Sequence, residues 1–110
     1  MRVLFDQGTP APIRKSLSKH IVRTAAEEGW STLVNGELLS AAERSGFDVL
    51  LTTDNGIPAQ QNLSERRIAI VIISRNKWSL VKKALPQIVA AVEAGTPGTC
   101  VVVDVPPDEF

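Results

Sequence analysis

Short runs of Val, Ile and Leu recur along the chain and predict buried β-strands. Within each run the apolar residues are continuous and do not alternate with polar ones, which is typical of parallel strands covered on both faces. The predicted strands, of which the second has the weakest pattern, are Arg2–Phe5, Ile21–Thr24, Val49–Thr53, Ile68–Ile73 and Cys100–Val105. We therefore expect a mostly parallel sheet of four to five strands.

Helical signals lie between the first strands. Thr9 followed by Pro10 is typical of a helix N-cap and a first helical residue, because proline lacks the N–H that would be unpaired there. Thr24 and Glu27 have the spacing of a capping box. They predict a short helix that stops at Gly29.

The two later helices are marked more clearly. Asn35 is predicted to cap a helix over Gly36–Ser45 that ends at Gly46. Pro86 interrupts the last helix and is predicted to kink it or to start a second one. The last helix has a four-residue apolar period, and its predicted core stripe is Leu80, Ala84, Ile88 and Val92.

Strands that alternate with helices are typical of an α/β fold, here a three-layer sandwich with right-handed crossovers. The 110 residues are enough for one domain, which we assign to residues 1–105, followed by a short tail at residues 106–110. In open parallel sheets, ligands bind outside the carboxyl ends of the strands. Polar residues that directly follow a strand are therefore the candidates for function.

Charge and reactive side chains exclude several classes of protein. The 12 Lys and Arg balance the 12 Asp and Glu, so any nucleic-acid contact is expected to be local. One Cys and one His exclude a disulfide framework and a structural zinc site. The single Cys fits a reducing compartment, and no run has the length of a signal peptide or a membrane helix. We therefore expect a cytoplasmic protein with no membrane partner.

Three acids begin or follow predicted elements. Asp6 follows the first strand, Asp54 follows the third, and Glu37 lies in the first turn of the helix predicted after Asn35. Carboxylates that lie close together repel one another unless a cation joins them, and Mg²⁺ or Mn²⁺ suits such ligands. Simpler roles remain open, because Asp favours turns after strands and Glu favours helix N-termini.

Three short segments stand in a recognisable order. Leu4–Pro10 is similar to two hydrophobic residues followed by Asp-Glu-Asn-Leu-Pro, and Asn35–Leu39 is similar to Asp or Asn, any residue, Glu and two hydrophobic residues. Phe47–Asp54 is similar to a strand that ends in Thr, any residue and Asp. Together the segments, within residues 1–75, resemble a branch of small bacterial PIN-like domains.

PIN domains are mostly metal-dependent ribonucleases, and many are toxins of toxin–antitoxin pairs. The resemblance implies that Asp6, Glu37 and Asp54 are both the catalytic and the metal-binding acids, with Mg²⁺ or Mn²⁺ as the cofactor. It implies a single PIN-like domain that acts on RNA and has a cognate antitoxin protein as partner. We also consider a homodimer.

Four polar residues after the third and fourth strands are candidates for substrate binding. Asn55 offers a neutral oxygen ligand, and the resemblance implies that Ser74 lines the site. Arg75 and Lys77 follow the fourth strand, where they would contact a phosphate backbone beside the acids. The alternative for both is ordinary solvated surface.

Two positions depart from the pattern of the family. The family commonly has a further Asp two residues after the position of Asp54, and Gly56 stands there. Gln7 replaces the Glu that often follows the first Asp. Both changes remove negative charge, so we expect a weakened acidic site.

Two other classes of function remain as alternatives. A receiver-like phosphoacceptor domain has a similar size and also carries Asp after its first and third strands, which would make Asp54 the acceptor. Receivers have a pair of adjacent acids near the first strand and a Lys after the fifth, whereas Asp6 stands alone and no Lys follows the fifth predicted strand. The second alternative is a non-catalytic PIN-like interaction module that has kept the fold and lost the chemistry.

Overall fold

Five strands form one sheet in the computed structural model, which describes residues 1–57 and 62–107. Within these residues the strands are β1 Arg2–Phe5, β2 Ile21–Thr24, β3 Val49–Thr52, β4 Ala69–Ile73 and β5 Cys100–Val103. Their order across the sheet is β2-β1-β3-β4-β5, and every neighbouring pair is parallel. The expected α/β class and the parallel sheet are confirmed.

Helices cover both faces of the sheet. In the described chain they are α1 Asn35–Arg44, α2 Trp78–Val81 and α3 Leu85–Glu93, with 3₁₀ helices at Ala11–Leu17 and Lys82–Ala84. α1 packs with Leu4 and Leu50 on one face, whereas the first 3₁₀ helix, α2 and α3 pack with Val3 and Leu51 on the other. The arrangement is compatible with the expected three-layer sandwich.

The predicted strand ends hold for β1 and β2 and shift for the other three. β3 ends one residue early, β4 begins one residue late, and β5 ends at Val103 instead of Val105. The reason at β5 is local. The N–H of Val105 donates to the Ser74 hydroxyl at 2.7 Å, which takes the chain out of the strand ladder.

The predicted first helix is wrong in its type and its cap. The segment is a 3₁₀ helix that begins at Ala11, and its N-cap position is Pro10. Thr9 does not cap it, because the Thr9 hydroxyl donates to the carbonyl of Leu51 at 3.0 Å. The side chain therefore ties the loop to β3.

The predicted capping box forms without the predicted helix. The N–H of Thr24 donates to Glu27 Oε1 at 2.8 Å, and the N–H of Glu27 donates to Thr24 Oγ1 at 3.0 Å. The segment is a turn because Gly29, at φ +78°, reverses the chain after one turn.

The later helices follow the prediction closely. α1 begins at Asn35 with Val34 at the N-cap position, so Asn35 is the first helical residue and not the cap. Gly46, at φ +79°, follows its end as expected. Pro86 lies in the first turn of α3 and starts a second helix, and the four residues of the predicted stripe are all buried.

No helix of the described residues has the length and apolar character needed to cross a membrane. The assignment of residues 1–105 to one PIN-like domain stays a prediction. Of the predicted tail, Pro106 and Pro107 are exposed, and residues 108–110 lie outside the described residues.

Candidate functional site

The carboxyl ends of β1 and β3 lie side by side where the strand order changes direction. After β1 the chain forms β2 on one side, and it then returns to form β3 on the other side of β1. A crevice opens at such a switch point, and ligands of open parallel sheets bind there. Asp6 directly follows β1 and Asp54 lies two residues after β3, so the strand pairing brings both to this crevice.

Asp6 is half-buried, and hydrogen bonds hold both of its carboxylate oxygens. Oδ1 accepts the N–H of Gln7 at 2.8 Å, and Oδ2 accepts the hydroxyl of Thr52 at 2.8 Å. The backbone N–H of Asp6 donates to the carbonyl of Leu51 at 3.0 Å, which extends the pairing of β1 with β3. The carboxylate is thereby fixed relative to β3.

Thr52 connects the two aspartates. It is the last residue of β3, and its 0% exposure makes it the one fully buried polar side chain within residues 1–57 and 62–107. Its hydroxyl donates to Asp6 and accepts the N–H of Asp54 at 3.0 Å. A single buried oxygen therefore sets the position of one carboxylate and the backbone of the other.

Asp54 is exposed and forms a turn of its own. Its Oδ1 accepts the N–H of Gly56 at 2.9 Å, which is the Asx-turn expected of Asp after a strand. Its Oδ2 has no hydrogen bond among the described residues. One oxygen therefore shapes the turn, and the other is left without a donor in the part of the chain that the structure describes.

The loop after Asp6 folds against the end of β3. Gly8 adopts φ +87°, and a Cβ added to it would lie 3.2 Å from Thr53 Oγ1. Glycine is favoured here by both the backbone conformation and the close approach. The close approach of Gly8 to Thr53 and the hydrogen bond from Thr9 to Leu51 keep the loop beside the crevice.

Glu37 lines a depression that includes neither of the two aspartates. It is exposed in the first turn of α1 and lines a depression of about 440 Å³ together with Ser40, Arg44 and Arg66. Asp6 lines a different cavity of about 210 Å³, which includes neither Glu37 nor Asp54. Thr52 links Asp6 to the backbone of Asp54, and no hydrogen bond of the described residues joins Glu37 to either aspartate.

A partly buried ion pair holds the depression that Glu37 lines. Glu43 accepts Arg66 Nη1 at 2.7 Å through Oε1 and the N–H of Arg67 at 2.6 Å through Oε2, and Ser40 also accepts Arg66 Nη1. Burial alone would raise the pKa of Glu43. The two hydrogen bonds and the charge of the arginines outweigh it and lower that pKa below its ordinary value.

The predicted substrate-binding residues occupy two kinds of environment. Asn55 and Lys77 are exposed and make no side-chain hydrogen bond in the described residues. Ser74 bonds both Val105 N–H and the Asp104 carboxylate, and Arg75 Nε donates to the Val105 carbonyl at 2.9 Å. Ser74 and Arg75 thus fasten the chain after β5, which is a structural role.

The donor set at the crevice suits a hard cation. Two carboxylates follow the paired strands β1 and β3, and Asp54 is exposed. Within residues 1–57 and 62–107 no group of three or more His, Cys, Asp or Glu is placed to hold a metal. Mg²⁺ is commonly bound through one or two protein carboxylates, with waters and substrate phosphates as the other ligands. The pair formed by Asp6 and Asp54 fits that chemistry.

Thr52 is the site residue that sequence reasoning missed. Its signal is present, because a hydroxyl two residues before Asp54 ends an otherwise apolar strand. A polar side chain in a buried run requires a hydrogen-bond partner, and here the partner is Asp6.

Comparison of the chain with protein-family models, with curated proteins and with solved structures finds no match.

Proposed function

We propose that this chain is a Mg²⁺- or Mn²⁺-dependent ribonuclease of PIN-like type, with the metal held between β1 and β3 by Asp6 and Asp54. The observation that carries the proposal is the hydrogen-bonded unit of Asp6, Thr52 and Asp54 at the switch point of the sheet. The resemblance of Leu4–Pro10 and Phe47–Asp54 to PIN-like domains supports the same assignment.

Each residue of the unit has a distinct task in this proposal. Asp6 presents a carboxylate whose orientation is fixed by Gln7 and Thr52, and Asp54 presents the oxygen that has no protein donor. A divalent cation bound there would lower the pKa of a coordinated water and neutralise charge on a phosphoryl group. Lys77, exposed after β4, supplies a positive charge for the RNA backbone near the same edge of the sheet.

Calorimetric titration with Mn²⁺ tests the metal site. We expect the wild type to bind Mn²⁺ and both Asp6→Asn and Asp54→Asn to lose most of that affinity. Asp48→Asn is the matched control, because Asp48 is an exposed acid that directly precedes β3 and so lies at the amino ends of the strands, away from Asp6 and Asp54. No binding by the wild type at millimolar metal, or equal binding by all four proteins, would refute the site.

RNA cleavage tests the reaction. We expect Mn²⁺-dependent cleavage of a mixed-sequence RNA that chelation abolishes, that Asp54→Asn loses and that Asp48→Asn retains. Cleavage that persists in Asp54→Asn at the wild-type rate would assign the activity elsewhere. If the chain is a toxin, as the resemblance implies, the protein encoded beside it should bind it and suppress this cleavage.

A phosphoacceptor function is the second candidate, and the strand order favours it. The order β2-β1-β3-β4-β5 is the one found in flavodoxin-like and receiver-like domains, with the ligand at the switch point between β1 and β3. In that case Asp54 Oδ2 would accept the phosphoryl group. Incubation with acetyl phosphate and Mg²⁺, followed by intact-mass measurement, would then show one added phosphoryl group that Asp54→Asn lacks.

A further inference from the structure

The two edges of the sheet differ in how their backbone groups are satisfied. In a parallel pair, alternate residues direct their N–H and C=O to the neighbouring strand, and the residues between them direct these groups outward. At β2 the outward residues are Val22 and Thr24, because Ile21 bonds to β1. Arg14 Nη2 donates to the Val22 carbonyl at 2.6 Å, and Glu27 and Glu28 bond the N–H and C=O of Thr24. The β2 edge is therefore largely closed by side chains and a turn.

The β5 edge is open. Ile70 donates to the Thr99 carbonyl and Ser74 to that of Val103, so the outward residues of β5 are Cys100 and Val102. None of their four backbone N–H and C=O groups is hydrogen-bonded within the described residues. Open edges are sites of strand addition unless charge, proline or a covering element blocks them.

The side chains of β5 leave both faces of this edge apolar and exposed. Val101 is 45% exposed on the α3 side, and Val102 is 61% exposed on the α1 side. No charged residue and no proline lies between Gly98 and Val103. The edge thus lacks the lysine or proline that commonly protects such strands.

We propose that β5 pairs with β5 of a second copy of this chain in antiparallel orientation, which joins two sheets into one. A two-fold axis at Val101 puts Cys100 opposite Val102 of the second copy, and Val102 opposite its Cys100. Opposite residues of this kind exchange both N–H···O bonds, so all four open groups of each strand are satisfied.

Charge and space favour a second copy as the occupant. In this register the only acid near β5, Asp104, lies beyond the strand and outside the paired residues, so no two acids oppose each other within the pair. The two Val101 side chains meet as a close pair on the α3 side. An apolar cavity of about 180 Å³, lined by Ala91, Ala94 and Val101, lies there and can receive the added methyl groups.

The dimer should be weak, because a four-residue strand pair buries less than the roughly 1,200 Å² of a stable interface. Sedimentation equilibrium at up to about 1 mM protein reaches the range in which such complexes are populated. We expect wild type to self-associate and Val102→Lys to remain monomeric. Ile21→Lys, at a 56% exposed position on the closed β2 edge, should self-associate as wild type does.

A wild type that stays monomeric at this concentration, or equal behaviour of the two lysine variants, would overturn the proposal. Cross-linking gives a second measurement. In a Cys100→Ala background, Val101→Cys should form an intermolecular disulfide at least about tenfold faster than Ile21→Cys, because pairing raises the effective thiol concentration. Equal rates would also overturn it. Far-ultraviolet circular dichroism checks that each variant is folded.

Discussion

The Thr52 hydroxyl lies 2.8 Å from Asp6 Oδ2 and 3.0 Å from the N–H of Asp54. One oxygen that is shielded from solvent therefore acts as donor to one strand end and as acceptor for the other. In metal sites, replacement of a group that orients a ligand typically lowers metal affinity by about 10- to 100-fold. Thr52 holds that position relative to the proposed cation.

Replacement of Thr52 by valine tests this relationship. Val keeps the shape of Thr but removes the hydroxyl, so the N–H of Asp54 loses its acceptor and Asp6 loses a donor. We expect the free energy of unfolding to fall by about 1–3 kcal/mol. We expect Mn²⁺ affinity to fall by about 10-fold or more. Urea denaturation and calorimetry measure the two effects.

Thr52→Ser is the matched control because it retains the hydroxyl. The Mn²⁺ affinity of Thr52→Ser should lie within a fewfold of that of wild type. If Thr52 had only a structural role, the Mn²⁺ affinity of both Thr52 variants would instead follow their stability. If Thr52→Val retained wild-type affinity while it lost stability, the positioning role would be wrong. If wild type bound no Mn²⁺, the stability effect would still be measurable.

A variant of Glu37 tests whether this residue is a metal ligand, as the resemblance to PIN-like domains implies. If Glu37 is a third metal ligand, Glu37→Gln should lose as much Mn²⁺ affinity as Asp6→Asn loses. Since Thr52 links Asp6 with Asp54 and no hydrogen bond of the described residues joins Glu37 to them, we expect Glu37→Gln to lose much less affinity. Parallel titrations of the two variants decide between these outcomes. Equal losses would assign Glu37 to the site as a ligand, as the resemblance implies.

Gly8 and Gly46 form a natural pair for measuring strain in the loop after Asp6. Both have positive φ, and a Cβ at Gly46 would meet nothing within 4 Å. Gly46→Ala should therefore cost only the left-handed conformation, about 1–2 kcal/mol. Gly8→Ala should cost more because its Cβ would press on Thr53 Oγ1 at 3.2 Å. Denaturation midpoints of the two variants compare them, and an equal cost would contradict the close contact.

The pair formed by Glu43 and Arg66 predicts a loss of stability in acid. Because the pKa of Glu43 is lower in the folded protein, its contribution is complete above the ordinary carboxyl pKa and is lost as the pH falls through the folded value. Glu43→Gln should reduce stability at neutral pH by about 1.5–3 kcal/mol. It should also flatten the decline below about pH 4.5. Thermal melts of both proteins at pH 7 and pH 3 test this, and parallel declines would argue against it.

The strands were predictable because burial on both faces leaves its pattern in the residue types. Leu50 and Leu51 face opposite cores, so the run that contains them has no polar gap. The same pattern places Asp6 and Asp54 at one edge, since parallel strands end together. That part of the candidate site follows from the order of residues along the chain.

Other features depend on packing that the sequence does not express. The position of Glu37 follows from where α1 begins relative to the sheet, and no local signal fixes that. The capping box of Thr24 and Glu27 forms its two hydrogen bonds and Gly29 ends the segment as predicted, but the single turn between them does not become a helix. The Thr9 hydroxyl donates to the carbonyl of Leu51, which is distant in the sequence, and does not cap a nearby N–H. The packing of the loop against β3 decides between these two partners.

The bond between Thr52 and Asp6 joins residues that are 46 positions apart in the chain. A chain that emerges from the ribosome therefore exposes Asp6 well before Thr52 is made, and the segments of β2 and α1 lie between them. Contacts of such separation form late, because closing a long loop costs entropy before any bond is gained. The two strand ends thus come together only when β3 pairs with β1, and the Mn²⁺ affinity proposed for Asp6 and Asp54 should appear together with the central strand of the sheet.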